Sequence, residues 1–314
     1  MADKMDLGRR GLLTGGVLAG ATSLLPAASD AKSKAARDVD PDPFTPAPMP
    51  APYPAKELHI PVADGVSLYC WDTGGKGAPI VLFHPRTGSG LIWDYQREAF
   101  AKAGHRVIGY SRRGYAGSDP GPKDKVGTGV GDLLVVLEAL KVDRFHAVST
   151  AAGGFVAADF ALSHGERLLS LTLACSILGV TDAELGEMDK RLRPPFFAKL
   201  PPDFQELGPS YRAAHPEGHA KWVELHDHST VPGQVDQPLV NTITLAALKT
   251  IKTPTLLICG DCDLIAAPPV MRAFHAAMPG SRLEVIAECG HSAYWERPAA
   301  FNRAVLGFIA SPRA

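Results

Sequence analysis

From about Glu57 onward, short apolar runs alternate with stretches of helical spacing. The runs Ile80–His84, Arg106–Tyr110, Phe145–Ser149, Leu169–Ala174, Thr255–Gly260 and Arg282–Ile286 are too short for helices. Bounded by turn residues, they predict strands, and Ser67–Trp71 before them predicts one strand of an opening hairpin. Apolar residues spaced three and four apart predict helices over Ile92–Lys102, Val130–Leu140, Gly154–Ser163, Pro268–Met278 and Pro298–Ile309. Strands that alternate with helices belong to the α/β class, a mainly parallel central sheet with helices on both faces. No internal repeat is present.

Between Ile177 and about Ala247 the alternation stops. This stretch holds Pro194-Pro195, Pro201-Pro202, Trp222 and the histidines His215, His219, His226 and His228 among amphipathic segments. It reads as a helical lid inserted over the sheet, at about 177–247 of one domain spanning 57–312. Phe196, Phe197 and Trp222 are candidates to line a pocket from the lid or, more plainly, to pack the lid on the body. Pro216 and Gly218 argue against a regular helix joining His215 to His219, so surface positions suit these histidines better than a metal site.

Ahead of the domain, Arg9-Arg10 precede a mildly apolar Gly/Ala-rich run from Gly11 to Ala28, and small residues follow at Ala27, Ala28, Ser29 and Ala31. A charged start, an apolar middle and a small-residue cleavage zone predict an export signal over residues 1–31. The order Arg9-Arg10-Gly11-Leu12-Leu13 resembles a twin-arginine signal, which implies a periplasmic or secreted protein. Weak hydrophobicity favours cleavage over an uncleaved anchor, and so no stable membrane association. Residues 32–56, with seven prolines between Pro41 and Pro54, read as a stiff extended spacer.

A formal net charge of −1 over 314 residues argues against nucleic acid as a partner, which needs clustered positive charge. Five cysteines, an odd number, do not suggest a disulfide framework. Cys259 and Cys262 have C-x-x-C spacing, but no helix opens on them, and packing is the plainer role. No glycine-rich phosphate cradle is present, and no cofactor is expected.

Four loops then carry a resemblance. They are Phe83-His84-Pro85-Arg86-Thr87-Gly88-Ser89-Gly90, Tyr110-Ser111-Arg112-Arg113-Gly114-Tyr115-Ala116-Gly117-Ser118-Asp119, Gly260-Asp261-Cys262-Asp263 and Cys289-Gly290-His291-Ser292. Taken in order, they resemble the α/β-hydrolase superfamily over essentially all of residues 57–312. That resemblance implies the α/β-hydrolase fold and a site at the carboxyl ends of the strands. It also implies His291 as general base and Asp263 as the acid that orients it, with Asp261 as competitor. Backbone N–H groups of Arg86 and Ala152 would form an oxyanion hole, which Pro85, lacking an N–H, does not disturb. His84, Arg86 and Trp222 are the candidates for substrate contact. Arg86 has two readings, a guanidinium that holds a substrate anion or one that pairs outward with a surface carboxylate. Ser111 replaces the acidic residue common before the Arg-Gly stretch.

Val148-Ser149-Thr150-Ala151-Ala152-Gly153-Gly154 falls where the superfamily carries its nucleophile elbow, and Ala151 stands where the serine belongs. The alanine admits three readings: a deliberate serine replacement, a natural loss that leaves a binding protein, or an active enzyme that dispenses with the covalent step. Ser149 and Thr150 precede the apex, and Ser292 lies beside His291, so none is well placed to substitute. The expectation is an enzyme acting on a small organic carbonyl compound, hydrolysing an ester, a lactone or a C–C bond. The alternatives are a lyase or isomerase using the same histidine and acid, and a catalytically dead ligand-binding protein.

Overall fold

The computed structural model describes Asp42, Phe44, Thr45 and residues 47–312. The export signal over residues 1–31 and most of the spacer lie outside the described residues.

Eight strands form one sheet: β1 (Lys56–Ala63), β2 (Val66–Asp72), β3 (Pro79–Phe83), β4 (Arg106–Tyr110), β5 (Phe145–Thr150), β6 (Leu168–Ala174), β7 (Thr255–Gly260) and β8 (Arg282–Ile286). Their spatial order is β1-β2-β4-β3-β5-β6-β7-β8. The β1–β2 and β2–β4 pairs are antiparallel and all others are parallel. Helices α1 (Asp94–Lys102), α2 (Gly129–Ala139), α3 (Gly153–His164), α9 (Pro268–Ala277) and α11 (Pro298–Ala310) follow strands. This is the α/β-hydrolase fold.

Side-chain alternation along each strand divides the core between the two faces of the sheet. On β3, Val81 and Phe83 join the cluster that includes Leu133 of α2, Phe160 of α3 and Phe274 of α9. Ile80 and Leu82 point the other way, into the cluster that includes Phe100 of α1 and Phe301 and Phe308 of α11. With both faces covered, β5 and β7 are buried at every position, which is why neither shows a strict apolar–polar alternation. The outermost β8 ends the sheet with Glu284 and Val285 exposed.

Between β6 and β7 the chain forms α4 (Ala183–Leu192), α5 (Pro202–Glu206), α6 (Pro209–Ala214), α7 (Pro216–Asp227) and α8 (Leu245–Leu248). One sequence expectation fails here. Pro216 and Gly218 do not prevent a helix: Pro216 is the first residue of α7. A proline there already has a helical φ, and its missing N–H is one that the first turn leaves unpaired anyway. The short α10 (Ala293–Glu296), directly after His291, was also not expected as a helix.

Candidate active site

The turn after β5 keeps the geometry of a nucleophile elbow. Ala151 has φ +47°, a left-handed conformation that disfavours residues other than glycine and costs about 1–2 kcal/mol. Three bonds hold it there. Its N–H donates to the Ala174 carbonyl at 3.0 Å, and its carbonyl accepts from the Gly154 N–H at 2.9 Å and from the Ser176 hydroxyl at 2.6 Å. Gly153 is required for close approach, since a Cβ there would lie 2.1 Å from the Phe83 carbonyl oxygen. The tight turn thus presents the Ala151 methyl group at its apex.

The Ala151 apex, Asp263 and His291 follow β5, β7 and β8 respectively, at the same end of the parallel strands. His291 Nδ1 lies 2.8 Å from Asp263 Oδ2 and 3.0 Å from Oδ1. Asp263 Oδ1 also accepts from the amides of Ile265 and Ala266, which fix the carboxylate. Asp261, the competitor by sequence, instead accepts from the Cys289 amide at 3.2 Å and so shapes the histidine loop. Burial by itself lowers the His291 pKa. The charge of Asp263, its hydrogen bond and the nearby Glu206 outweigh that and leave it above the ordinary value.

His84 does not face substrate. It is fully buried, its Nδ1 donates to the Pro85 carbonyl at 2.7 Å, and its Nε2 accepts from the Arg112 amide at 3.0 Å. Burial, reinforced by the Arg112 charge, pushes its pKa well down, so the ring is neutral and matches this pair of bonds. Its role is to brace the loop that presents Arg86. Ser111 braces the same loop, accepting from the Gly90 amide at 3.0 Å. Among the described residues, neither the Arg86 nor the Ala152 amide has a hydrogen-bond partner.

The Arg86 guanidinium reaches Asp236 at 3.3 Å, with both side chains 67% exposed, so the outward pairing is the one formed. The pair stands at the rim of a cavity of about 250 Å³ that reaches the elbow at Ala152 and is also lined by Arg112, Phe155 and Leu239. Trp222 is buried, and its indole N–H donates to the Ser292 hydroxyl at 3.3 Å; it packs the lid against the histidine loop instead of lining that cavity. Phe197 is buried, whereas Phe196 is 73% exposed.

The nearby hydroxyls are engaged or enclosed. Ser149 donates to the Thr172 carbonyl at 2.7 Å, Ser292 donates to Glu206, and the Thr150 hydroxyl is buried without a partner. The lid histidines are dispersed: His219 meets Asp203, His226 meets the Thr87 carbonyl, His228 meets the Glu224 carbonyl, and His215 stacks on Tyr211. No group of three metal-ligating side chains occurs among the described residues. All five cysteines are free, and burial pushes the Cys259 and Cys262 thiols up to about 12 and about 11, which disfavours the reactive thiolate.

Two carboxylates of the site carried no motif in the sequence. Glu296, on α10, accepts from the amides of Gly290, Ser292 and Gly208, so it ties the histidine loop to the lid. Burial pushes its pKa up to about 7 despite those donors. Glu206, the last residue of α5, is buried against the same loop: its carbonyl accepts from the His291 amide at 2.6 Å and its Oε2 from the Ser292 hydroxyl at 3.1 Å. A lone glutamate in a proline-punctuated lid gives no sequence signal. Only the docking of α5 reveals it.

The alpha/beta hydrolase family profile matches residues 80–304, and the chain belongs to that family. It is 29% identical over 270 residues to the 2-hydroxy-6-oxononadienedioate/2-hydroxy-6-oxononatrienedioate hydrolase of Burkholderia vietnamiensis, covering 79% of this chain and 93% of the relative. Among solved structures, Est816, an N-acyl homoserine lactone degrading enzyme, matches with a TM-score of 0.63 at 28% identity, covering 80% of this chain and 100% of the other. The thermophilic esterase of Thermogutta terrifontis shares the fold, with a TM-score of 0.66 at 24% identity, covering 83% of this chain and 100% of the other. These relatives support a hydrolase of the α/β fold.

Proposed function

We propose that this chain hydrolyses a small organic carbonyl compound (an ester, a lactone or a C–C bond beside a carbonyl) without a covalent intermediate on the elbow. The observation that carries the reading is the pairing of His291 with Asp263 at 2.8 Å, on a fold whose elbow apex is Ala151. In this reading His291 Nε2 removes a proton from water, and the resulting hydroxide attacks the carbonyl carbon. The amides of Arg86 and Ala152 receive the oxyanion, and the imidazolium returns its proton to the leaving group. General-base catalysis contributes about 10²–10⁴-fold, and each oxyanion donor about 10²–10³-fold. Replacing the serine side chain with a methyl group leaves room at the apex for water or substrate. The C–C hydrolase and lactone-degrading relatives supply the substrate classes. The Arg9-Arg10 leader extends the proposal to an exported enzyme, which N-terminal sequencing of the mature protein checks.

A panel of aryl esters, lactones and vinylogous diketones tests the activity. Turnover is expected in the parent and its loss in His291→Ala, with no labelling by a fluorophosphonate. Labelling of the parent, or unchanged turnover in His291→Ala, contradicts the reading.

A further inference from the structure

The lid brings a second carboxylate to the loop that carries the histidine. Glu206 closes α5, and four contacts seat this end of the lid on the loop that carries His291. The His291 amide donates to the Glu206 carbonyl, the Ser292 hydroxyl to Glu206 Oε2, the Gly208 amide to Glu296 Oε2 at 2.7 Å, and the Trp222 indole to Ser292. His219 of α7 meets Asp203 of α5 at 2.7 Å, so the two lid helices are tied together. The lid also reaches the loop that presents Arg86, where His226 of α7 meets the Thr87 carbonyl at 3.3 Å. The lid therefore touches both the histidine loop, through Glu206, and the loop that presents the Arg86 amide, through His226.

We propose that Glu206 is a positioning residue that completes the base only when the lid is seated, its carboxylate joining that of Asp263 in stabilising the His291 imidazolium. The proposal rests on the reading of His291 as the general base. Asp263 comes from the body and is held by body amides, so its contribution is permanent. Glu206 comes from the lid, so its contribution is present with the lid docked and absent with it displaced. The charged and titratable groups facing this centre are Asp263 after β7, Glu206 on α5, Glu296 and Tyr294 on α10, Cys175 after β6, Cys289 ahead of His291, Cys259 of β7 and Asp189 of α4, which is paired with Arg193 at 2.8 Å. Glu296 is occupied by three backbone amides, and the Cys175 and Cys289 thiols are pushed well up by burial, so they stay neutral. Of the carboxylates that favour the imidazolium, Asp263, Glu206 and Glu296, Glu206 is the one that the lid supplies. Burial raises the Glu206 pKa and the His291 charge opposes that rise, as expected of two groups that charge together. Such an arrangement would make the base stronger in the closed, dry site than in the open one.

The test is titration of the His291 ring by NMR in the parent and in Glu206→Gln. The glutamine keeps the shape, the Ser292 contact and the backbone bond to the His291 amide, and removes only the charge. The His291 midpoint is expected to fall by about one unit, and the acid limb of kcat/KM to move with it. Glu206→Asp, which retains the charge, should restore most of the midpoint. An identical midpoint in parent and Glu206→Gln overturns the proposal. If neither variant folds, the parent decides through the assigned Glu206 carboxyl signal: an inflection at the His291 midpoint is expected of two coupled groups, and a Glu206 signal that does not respond when His291 titrates overturns the proposal. This readout needs no substrate, so it stands apart from the panel that tests His291→Ala.

Discussion

Gly290 and Glu206 meet backbone to backbone: a Cβ at Gly290 would lie 2.4 Å from the Glu206 carbonyl oxygen and 2.5 Å from the Gly208 nitrogen. Both obstacles are main-chain atoms of the lid, which cannot rotate out of the way. Gly290→Ala must therefore lift the end of α5 from the histidine loop or distort that loop. A loss of about 1–3 kcal/mol of stability is expected, as for other overpacked sites, with faster hydrogen exchange in residues 202–214. Denaturant unfolding and exchange mass spectrometry check this. An alanine variant as stable and as protected as the parent would contradict the tight docking.

Asp263→Asn keeps the shape of the partner but removes the charge that outweighs burial at His291. Turnover is expected to fall about 10³–10⁴-fold, the scale seen when a neutral amide orients a catalytic histidine in the wrong tautomer. A pH signature accompanies it. The folded His291 pKa lies above the unfolded one, so its contribution to stability is fully present below the unfolded value and lost as pH rises through the folded one. Asp263→Asn should therefore lose more stability in mildly acidic than in alkaline buffer. Equal losses at both ends of that range would count against the ion pair.

Most of the fold was legible because burial on both faces leaves a strong mark. The runs at Phe145–Ser149 and Thr255–Gly260 carry no Lys, Arg, Asp or Glu and no strict apolar–polar alternation, because helices cover both sides of β5 and β7. The tight turn after β5 was legible from Gly153-Gly154, whose missing side chains permit contacts that any other residue would block. Loops around His84 and His291 could be recognised, but recognition did not say what each side chain touches. His84 looked like a substrate contact and is a buried, neutral brace. Arg86 and Trp222 are committed to Asp236 and Ser292, pairings between distant segments that no local pattern encodes. Glu206 and Glu296 were invisible for the same reason: their importance arises only when the lid and α10 close over the histidine loop.

Glu296 gives the protein a pH dependence of its own. Its carboxyl is pushed up from 4.5 to about 7 by burial, so between those values the folded chain holds a proton that the unfolded chain has released. Stability from this group is present at low pH and declines as pH rises from about 4.5 to 7. Glu296→Gln removes the titration and should flatten the stability profile across that window, with some overall loss because an NH₂ replaces one acceptor of the Gly290, Ser292 and Gly208 amides. Thermal melts at half-unit intervals of pH decide the matter, and a variant with the parent's slope would refute the assignment.

The non-covalent mechanism is tested most directly by comparing the parent with Ala151→Ser on one responsive ester or lactone in ¹⁸O-labelled water. The account predicts that the parent already turns over, that label enters the carboxylate product in a single step, and that serine brings no large gain. An inert parent, with strong turnover and an acyl-enzyme appearing only in Ala151→Ser, would contradict it and identify the alanine as the loss of a working nucleophile.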